Sequence, residues 1–391
     1  MGATLRILAV GDILLGEQYV TLGRGMGTML KRRGVHYAFE AIRPTLQEAD
    51  ILFGNLEAPL AKPRRLAVAA NAFRGCPEAA EALAWAGFDV LSLANNHMLE
   101  HGAEVALETI EHLSSQGIHS VGCAASQQGA REALILTRGG RRIAFLAFTF
   151  VPIPPRAPDL TARESVEGLC ERVAARRSRC DLLLLSLHWG AEYMDVPSPF
   201  QVHAAHRLID AGADVILGHH PHVLQGIESY NGGLIAYSLG NFVFDMHFCC
   251  ETRLGAILAM TVEEGALRSY ELLPVYINDA FQPTLMADEE KDQVLAYLDD
   301  CTARLPNPQS DDPLQAAQRY VEYVAQRRRE IVAMQRRYYT LGRLSPAANW
   351  VRAWRRLRRI ITGRSGQVAP ERAHEAWLLG LTDEKIEVGD A

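Results

Sequence analysis

The sequence predicts a mixed α/β protein with two layered sheets, followed by a helical region. From residue 5 to about residue 277, short apolar runs of strand length alternate with segments of helical period. The later runs of this part have the pattern of antiparallel strands joined by turns. From about residue 288 the strand-like runs disappear and charged helical patterns take over. We therefore expect a domain over residues 1–285 and a helical, Arg-rich extension over residues 286–391.

The first half of the domain predicts buried strands separated by helices. Strand-like apolar runs occupy residues 5–10, 49–54, 88–94 and 119–123. Segments of helical period lie between them at residues 78–86 and 103–116. The runs at 133–137 and 142–148 flank Gly139-Gly140, which predicts a hairpin.

The second half predicts two further strand–helix units and then a meander. Residues 181–188 and 214–218 are apolar runs, and the helix between them opens with Ser198-Pro199, a cap residue followed by a helix-starting proline. Residues 234–239, 254–262 and 267–275 are expected to be antiparallel strands. The last two are expected to turn over Glu263-Glu264-Gly265.

The extension predicts two helices, one of them strongly basic. Residues 314–339 fit one long helix, and Ser345-Pro346 starts a second over residues 347–362. One face of the second helix carries the apolar side chains Trp350, Trp354, Leu357 and Ile361. Between Arg327 and Arg364 there are twelve arginines and one acid, Glu330. Two interpretations stay open: a helix docked on the domain with its arginines in water, or a helix lying on an anionic lipid surface. Contact with nucleic acid is a weaker third, because no known binding motif accompanies the charge.

Length and composition are those of a globular protein. The 391 residues allow two or three domains, and 48% hydrophobic with 22% charged residues is ordinary. The net charge of -6 gives no nucleic-acid footprint for the chain as a whole, so we expect no nucleic-acid partner. No apolar run has the length of a membrane span, the first residues lack the pattern of a signal peptide, and seven cysteines show no disulfide framework. These features predict a cytoplasmic protein, with the basic helix as a route to peripheral contact with the inner membrane.

Polar residues follow five of the predicted strands at the point where each strand ends. They are Asp12, Asn55 with Glu57, Asn95-Asn-His97 with Glu100, His188, and the cluster His219, His220 and His222. Because open α/β sheets place their chemistry at the carboxyl ends of strands, we expect these side chains to lie together. Asp, Glu, Asn and His favour Mn, Zn or Fe over Ca or Mg. More ligands are present than a structural tetrahedral site needs, which indicates a catalytic centre with one or two divalent ions.

The same residues carry a resemblance to a known family. The ordered series is Gly11-Asp12, Asn55-Leu-Glu57, Asn95-Asn-His97, His188-Trp-Gly190, Gly218-His-His-Pro-His-Val223 and Ser238-Leu-Gly-Asn-Phe242. It resembles the bacterial CapA family, which is associated with capsule and poly-γ-glutamate synthesis and is similar to calcineurin-like metallophosphoesterases. The resemblance runs from about residue 5 to residue 277. It implies a four-layer αββα metallophosphoesterase-like sandwich, here with a C-terminal helical extension.

The resemblance also implies roles for individual residues. The implied metal ligands are Asp12, Asn55, Glu57, Asn96, His188, His220 and His222. Asp12 and His222 would hold the first ion, Asn96, His188 and His220 the second, and Asn55 with Glu57 would lie between them. His97 would be the catalytic imidazole, with Glu100 beside it to orient the ring.

Three positions depart from the pattern of the phosphoesterases. Leu14 stands where these enzymes have a histidine, and Asn55 stands where they have a bridging aspartate. Glu57 is then the carboxylate left to bridge two ions. Glu100 occupies the position of an aspartate in CapA-like sequences, and one extra methylene changes how it reaches the imidazole.

Candidate substrate-binding residues come from the same stretches of sequence. Arg74 has the planar fork that binds a phosphate or carboxylate, and a surface salt bridge is the alternative for it. Trp189, His219, Gln225 and Asn241 are the other candidates, as neighbours of the predicted ligands.

The resulting functional prediction has two forms. The first is a CapA-like, metal-dependent phosphoester hydrolase that acts on a phosphoester or anionic polymer during capsule or poly-γ-glutamate synthesis. The second is a non-catalytic component of a capsule assembly complex, which binds polymer or membrane through the metal fold and the basic helix.

Overall fold

The computed structural model describes residues 4–62, 73–153, 160–308 and 311–338. The predicted helix over residues 347–362 lies outside these residues. Nine α-helices are described: α1 Met26–Arg33, α2 Arg43–Leu46, α3 Ala79–Ala86, α4 Ala103–Ser115, α5 Gln127–Ala130, α6 Val166–Arg177, α7 Pro199–Asp210, α8 Asp288–Ala303 and α9 Pro313–Tyr338.

The first sheet is built around four parallel strands that come from the start of the chain. It consists of β1 Leu5–Ile13, β2 Ile51–Leu56, β3 Val90–Ser92, β4 His119–Val121, β11 Asn241–Val243, β12 Leu254–Glu263, β13 Ala266–Ile277 and β14 Pro283–Leu285. Strands β1 to β4 pair in sequence order and all run parallel. Strands β12 and β13 extend the other edge as an antiparallel pair, and β11 joins the end of β1 in parallel at Asp12.

The second sheet has six strands in the order β5-β6-β7-β8-β10-β9. Its strands are β5 Leu134–Arg138, β6 Arg141–Thr149, β7 Leu182–His188, β8 Val215–His219, β9 Ile227–Tyr230 and β10 Gly233–Ala236. The predicted hairpin is confirmed, because β5 and β6 pair antiparallel across Gly139-Gly140. One strand was assigned wrongly: β10 runs parallel to β8 and is antiparallel only to β9. The short strand β9, which sequence periodicity missed, reverses the chain and allows this pairing.

Three cores stack the two sheets and the helices into four layers. Helices α1, α3 and α4 pack their apolar residues, such as Leu83 and Leu113, on the outer face of the first sheet. The inner faces of the two sheets meet through side chains such as Phe53 and Phe145, whose rings stack 5.8 Å apart. Helices α6 and α7 cover the outer face of the second sheet. The predicted αββα sandwich is thereby confirmed.

Local signals explain where the helices of the second half begin. At α7 the Ser198 hydroxyl accepts from the Gln201 N–H, and the Gln201 side chain accepts from the Ser198 N–H. This capping box, with Pro199 in the first turn, satisfies N–H groups that have no partner within the helix. At the start of helix α6 the Ser165 hydroxyl accepts from the Gly168 N–H.

Helices α8 and α9 pack on the sandwich after its last strand. Helix α9 buries Ala316, Tyr320, Val324 and Ile331, which recur along one of its faces. The predicted helix over residues 314–339 is therefore present within one residue at either end. Among the described residues, no helix combines the length and the apolar character needed to cross a bilayer.

Candidate metal centre

The carboxyl ends of strands from both sheets meet at one edge of the sandwich. Asp12 near the end of β1 pairs with Asn55 in β2, and His188 at the end of β7 pairs with His219 at the end of β8. Glycines allow the close approach of backbone that this edge requires. A Cβ atom at Gly11 would overlap the carbonyl oxygen of Gly240 in the loop before β11.

Asp12 is fully buried and is held on all sides. Its Oδ1 accepts from the Asn55 amide at 2.9 Å and lies 3.2 Å from His219 Nδ1, while Oδ2 accepts from the backbone N–H of His220 at 3.1 Å. Burial raises the pKa of Asp12, but the hydrogen bonds and charges of His219, His222 and Asn55 outweigh it. Its pKa therefore lies below the usual value, and the carboxylate is ionised at neutral pH.

Glu57 is equally buried but differs from Asp12 in its surroundings. Among the described residues, neither of its carboxylate oxygens has a hydrogen-bond partner, and the same holds for Asn55 Oδ1. The nearest basic side chains are those of His188, with Nε2 at 3.5 Å, and His222, with Nε2 at 3.7 Å. Burial and the repulsion of Asp12 raise the pKa of Glu57 well above its usual value. The protein alone therefore leaves this carboxylate poorly compensated.

His188, at the end of β7, is almost fully buried. Its Nε2 lies 2.9 Å from Asn96 Oδ1, and its Nδ1 lies 3.4 Å from the Asn55 amide nitrogen. Burial and the neighbouring imidazoles lower the pKa of His188 well below its usual value. The ring is therefore neutral at physiological pH, which is the form that binds metal ions.

His220 and His222 are placed by an unusual backbone. Their φ angles are 96° and 57°, in the left-handed region that non-glycine residues rarely adopt. Pro221 lies between them in the sequence. The backbone conformation brings the two imidazole rings close together, with centroids 5.9 Å apart. Burial lowers the pKa of His220 to about 4, and its Nδ1 is buried without a hydrogen-bond partner among the described residues.

These residues fit a divalent metal ion. Three overlapping groups each bring their ligand atoms within 4.8 Å of one another: Glu57 with His188 and His220, Asp12 with Glu57 and His222, and Glu192 with His220 and His222. Buried carboxylate oxygens and imidazole nitrogens without partners are groups that normally find a partner in a folded protein. A divalent ion would supply that partner for Glu57 and His220 together. The donor set of N and O atoms suits Zn, Mn or Fe.

His97 lies beside this cluster at the open side of the site. It is 9% exposed, and its Nδ1 lies 3.4 Å from Glu100 Oε1. Its ring stacks on that of Phe73, with centroids 4.1 Å apart and planes 4° from parallel. Its Nε2 lies 3.3 Å from the Asn96 amide nitrogen. The predicted pairing of His97 with Glu100 is present in the structure, and the ring is fixed on two sides.

Two of the predicted substrate-binding residues do not line the site. Trp189 points into the core between the second sheet and its helices, and its indole N–H donates to the Tyr237 carbonyl. Side chains alternate along a strand, so His188 at the site places its neighbour on the opposite face. Gln225 is fully buried and donates to the Met194 carbonyl at 2.7 Å. Neither residue lines the site.

His219 and Asn241 support the site from within. His219 is fully buried against Asp12, so no substrate reaches it. Asn241 Oδ1 lies 2.9 Å from His222 Nδ1, and the Asn241 amide donates to the carbonyls of His222 and Thr252. Asn241 therefore orients the His222 ring, so that Nε2 faces Glu57.

Arg74 lies at the rim of a different depression. It lines a cavity of about 130 Å³ together with Glu17, Lys31 and Cys76. The residue before Arg74 is Phe73, whose ring stacks on His97 at the metal centre, so the two regions are adjacent in sequence.

The sequence analysis missed two residues of the site. Glu192 approaches His220 and His222 from the loop after β7, and Phe73 provides the stacking surface for His97. Glu192 follows the predicted ligand His188 by four residues, which was the one available signal. Leu14, in the position of an absent ligand, is buried in an apolar cluster with Phe244 and Met246.

Comparisons with known proteins found similar sequences and structures. The family model described as bacterial capsule synthesis protein PGA_cap matches residues 6–246. The capsule biosynthesis protein CapA of Bacillus anthracis is 30% identical over 77% of this chain and 74% of its own length. The PGA biosynthesis protein CapA of Bacillus subtilis (strain 168) is 29% identical over 73% of this chain and 75% of its own length. A solved structure of a phosphatase from Mycoplasma pneumoniae covers 75% of this chain and 98% of its own at 13% identity and a TM-score of 0.47. The match to the family model and the identity to the CapA proteins show that this chain belongs to the bacterial capsule synthesis protein PGA_cap family.

Proposed function

We propose that this chain is a metal-dependent phosphoester hydrolase that acts in capsule or poly-γ-glutamate polymer synthesis. The observation that carries the proposal is Glu57, a fully buried carboxylate that faces the imidazoles of His188 and His222 and has no hydrogen-bond partner in the described part of the chain. Such a group costs several kcal/mol of stability unless a cation compensates it. Binding of a metal ion and catalysis would explain why the chain keeps a carboxylate at this position.

The ligand cluster and His97 divide the work of hydrolysis. A divalent ion, when bound, would polarise phosphoryl oxygens and acidify a water molecule. Asp12, Asn55, Glu57, His188, His220 and His222 would hold it. Asn96 would act at the same place, because its Oδ1 lies next to His188 Nε2.

His97 is the proposed proton donor to the leaving oxygen. Glu100 lies 3.4 Å from Nδ1 and the Phe73 ring stacks on the imidazole, so the two side chains hold the ring in place. A positioned general acid contributes about 10²–10⁴-fold to such reactions. His97 is the imidazole of the site that also reaches solvent, as a leaving group requires.

The experiment is hydrolysis of an aryl phosphate monoester and a diester with Mn²⁺, Zn²⁺ or Fe²⁺. We expect activity that a chelator removes and that His97→Ala lowers by about 10²–10⁴-fold with metal binding retained. Asp12→Ala should lose metal binding and activity together. His203→Ala is the matched control, because this histidine is exposed on α7. Absence of activity with all three ions, in protein that binds them, would reject the hydrolase.

A second function is favoured by the solvent face of α9. Leu314 is 68% exposed and Val332 45% exposed, on the face opposite to the buried one. Arg328, Arg329 and Arg336 surround Val332 in a shallow hollow. Apolar and basic groups on one helix face are typical of a helix that contacts anionic lipid. We propose that this face anchors the protein to anionic membrane in a capsule assembly complex, whether or not the site is catalytic.

Sedimentation with vesicles tests the second function. The protein should bind vesicles that contain phosphatidylglycerol and not those of phosphatidylcholine alone. Arg328→Glu with Arg329→Glu should weaken binding, as should removal of residues 340–391. Unchanged binding in the charge-reversed protein would exclude this face as the contact.

A further inference from the structure

Glu192 differs from the other acids of the site because it lies at its mouth. Asp12 and Glu57 are fully buried, whereas Glu192 is exposed. Its carboxylate nevertheless lies within 4.8 Å of nitrogen atoms of both His220 and His222. His220 Nδ1 in the same group is buried and has no hydrogen-bond partner among the described residues. Two imidazoles and a carboxylate at these distances are a set of side chains that can bind a metal ion.

The residues that follow Glu192 are held one after another. The Tyr193 N–H donates to the Pro221 carbonyl at 2.7 Å, between the two histidines, and Tyr193 has a φ of 69°. The Met194 carbonyl accepts from the Gln225 amide at 2.7 Å. A non-glycine residue at positive φ persists only where its surroundings hold it. These contacts therefore hold the loop that carries Glu192 in one conformation.

Helices α8 and α9 provide the strongest of these restraints at Asp195. Its N–H donates to the Tyr323 hydroxyl at 3.1 Å, and that hydroxyl also contacts Asp195 Oδ1. Its Oδ2 accepts from Arg304 at 2.9 Å. On the same side, Arg327 donates to the Tyr193 carbonyl at 3.4 Å and to Glu251 at 2.8 Å.

We propose that Glu192 is a further ligand of the metal centre, and that α8 and α9 act as a brace that holds its loop through Asp195. The proposal rests on the hydrolase site proposed above, since it assigns one more ligand to the same centre. It gives the helices after the sandwich a role in metal binding: Tyr323 and Arg304 are positioning residues, and Glu192 is the group that touches the ion.

The test measures the affinity of the full-length protein for Mn²⁺ by calorimetric titration. Glu192→Gln keeps the shape and hydrogen-bonding size of the side chain and removes its charge. We expect it to weaken Mn²⁺ binding by at least about tenfold, since loss of partners outside the ligand shell alone costs 10–100-fold. Tyr323→Phe removes only the hydroxyl at Asp195 and should weaken binding by about tenfold, at the lower end of that range.

A double variant separates positioning from general destabilisation. If the brace acts through Glu192, Tyr323→Phe should have no further effect on Mn²⁺ affinity once Glu192→Gln is present. Tyr320→Phe is the matched control: the same change on the same helix, at a hydroxyl with no hydrogen-bond partner among the described residues. Its Mn²⁺ affinity should be that of the wild type, and the unfolding transition of each metal-free variant checks that it folds.

The outcomes distinguish this proposal from the proposed function. Wild-type protein that binds Mn²⁺, with unchanged affinity in Glu192→Gln, overturns the assignment of Glu192 and leaves the hydrolase standing. Additive effects of Glu192→Gln and Tyr323→Phe overturn the brace. Wild-type protein that binds no divalent ion overturns both proposals.

Discussion

Replacing Glu57 with glutamine should stabilise the metal-free protein while abolishing its response to metal. Both carboxylate oxygens of Glu57 are buried and lack partners among the described residues. Its pKa is raised well above the usual value by burial and by the repulsion of Asp12. An acid whose pKa is higher in the folded state keeps its proton more tightly there. Its contribution to stability is therefore present below the unfolded pKa and is lost as pH rises toward the folded one.

The size of the effect follows from the cost of an unsatisfied buried group. Leaving such a group without a partner costs about 1–3 kcal/mol, and more when it is charged. Glutamine has the same shape and stays polar but does not titrate, so Glu57→Gln should recover the part of this cost that comes from the raised pKa, about 1–3 kcal/mol at neutral pH. At about 2 °C of melting temperature per kcal/mol for a long chain, the midpoint should rise by about 2–6 °C. The gain should shrink as pH falls, because protonation relieves the wild-type carboxyl too.

The assay compares thermal and urea unfolding in chelator and in excess Mn²⁺. Wild-type protein should gain about 2.7 kcal/mol when the ion is at a hundred times its dissociation constant, and Glu57→Gln should gain almost nothing. Glu164→Gln is the contrasting control. Glu164 accepts two hydrogen bonds from Arg172, at 2.9 Å and 3.3 Å, so this variant should lose stability and keep its metal response. A loss of stability in metal-free Glu57→Gln, or a metal response equal to that of the wild type, would refute the reasoning.

Three further predictions concern the surroundings of the site. Burial raises the pKa of Asp245 to about 6 despite hydrogen bonds from Thr21 and Gln18. As pH rises from about 4 to about 6, the wild type should therefore lose about 3 kcal/mol of stability relative to Asp245→Asn, and it should stay less stable above about pH 6. Urea unfolding of both proteins across this pH range measures the difference. Asn241→Ala should weaken Mn²⁺ binding by about 10–100-fold by freeing the His222 ring, and equal affinity would contradict its positioning role. Arg327→Ala should lower stability by about 1.5–3 kcal/mol through loss of its hydrogen bonds to a carboxylate and a carbonyl, and a change below 0.5 kcal/mol would contradict the buried contact.

Most strands and helices were predictable because their signals are local. The apolar runs that became β1, β2, β7 and β8 are continuous, as strands buried on both faces must be. The Ser198-Pro199 start of α7 depends only on the first turn of the helix. The strands that were missed, β9, β11 and β14, have three or four residues, too few for a periodicity to stand out. The parallel pairing of β10 was not visible either, because pairing partners are distant in sequence.

The sequence by itself determined the candidate ligands and the family. Asp12, Glu57, His188 and His222 each follow an apolar run, and polar groups at such positions are costly enough to indicate a shared purpose. Only the tertiary structure decided which neighbours face the site. Trp189 turned into the core because side chains alternate along a strand, and Asn241 and His219 became supports because their partners come from other strands.

The tertiary structure also decided the place of Glu192 and the contacts of the helices after the sandwich. Glu192 reaches the histidines because Tyr193 has a positive φ and because Asp195 is held by Tyr323 and Arg304. None of these contacts is within reach of a local pattern, since Asp195 and Tyr323 are separated by 128 residues. Residue types and strand ends are properties of short stretches of sequence, whereas the direction of a loop is set by whatever packs against it.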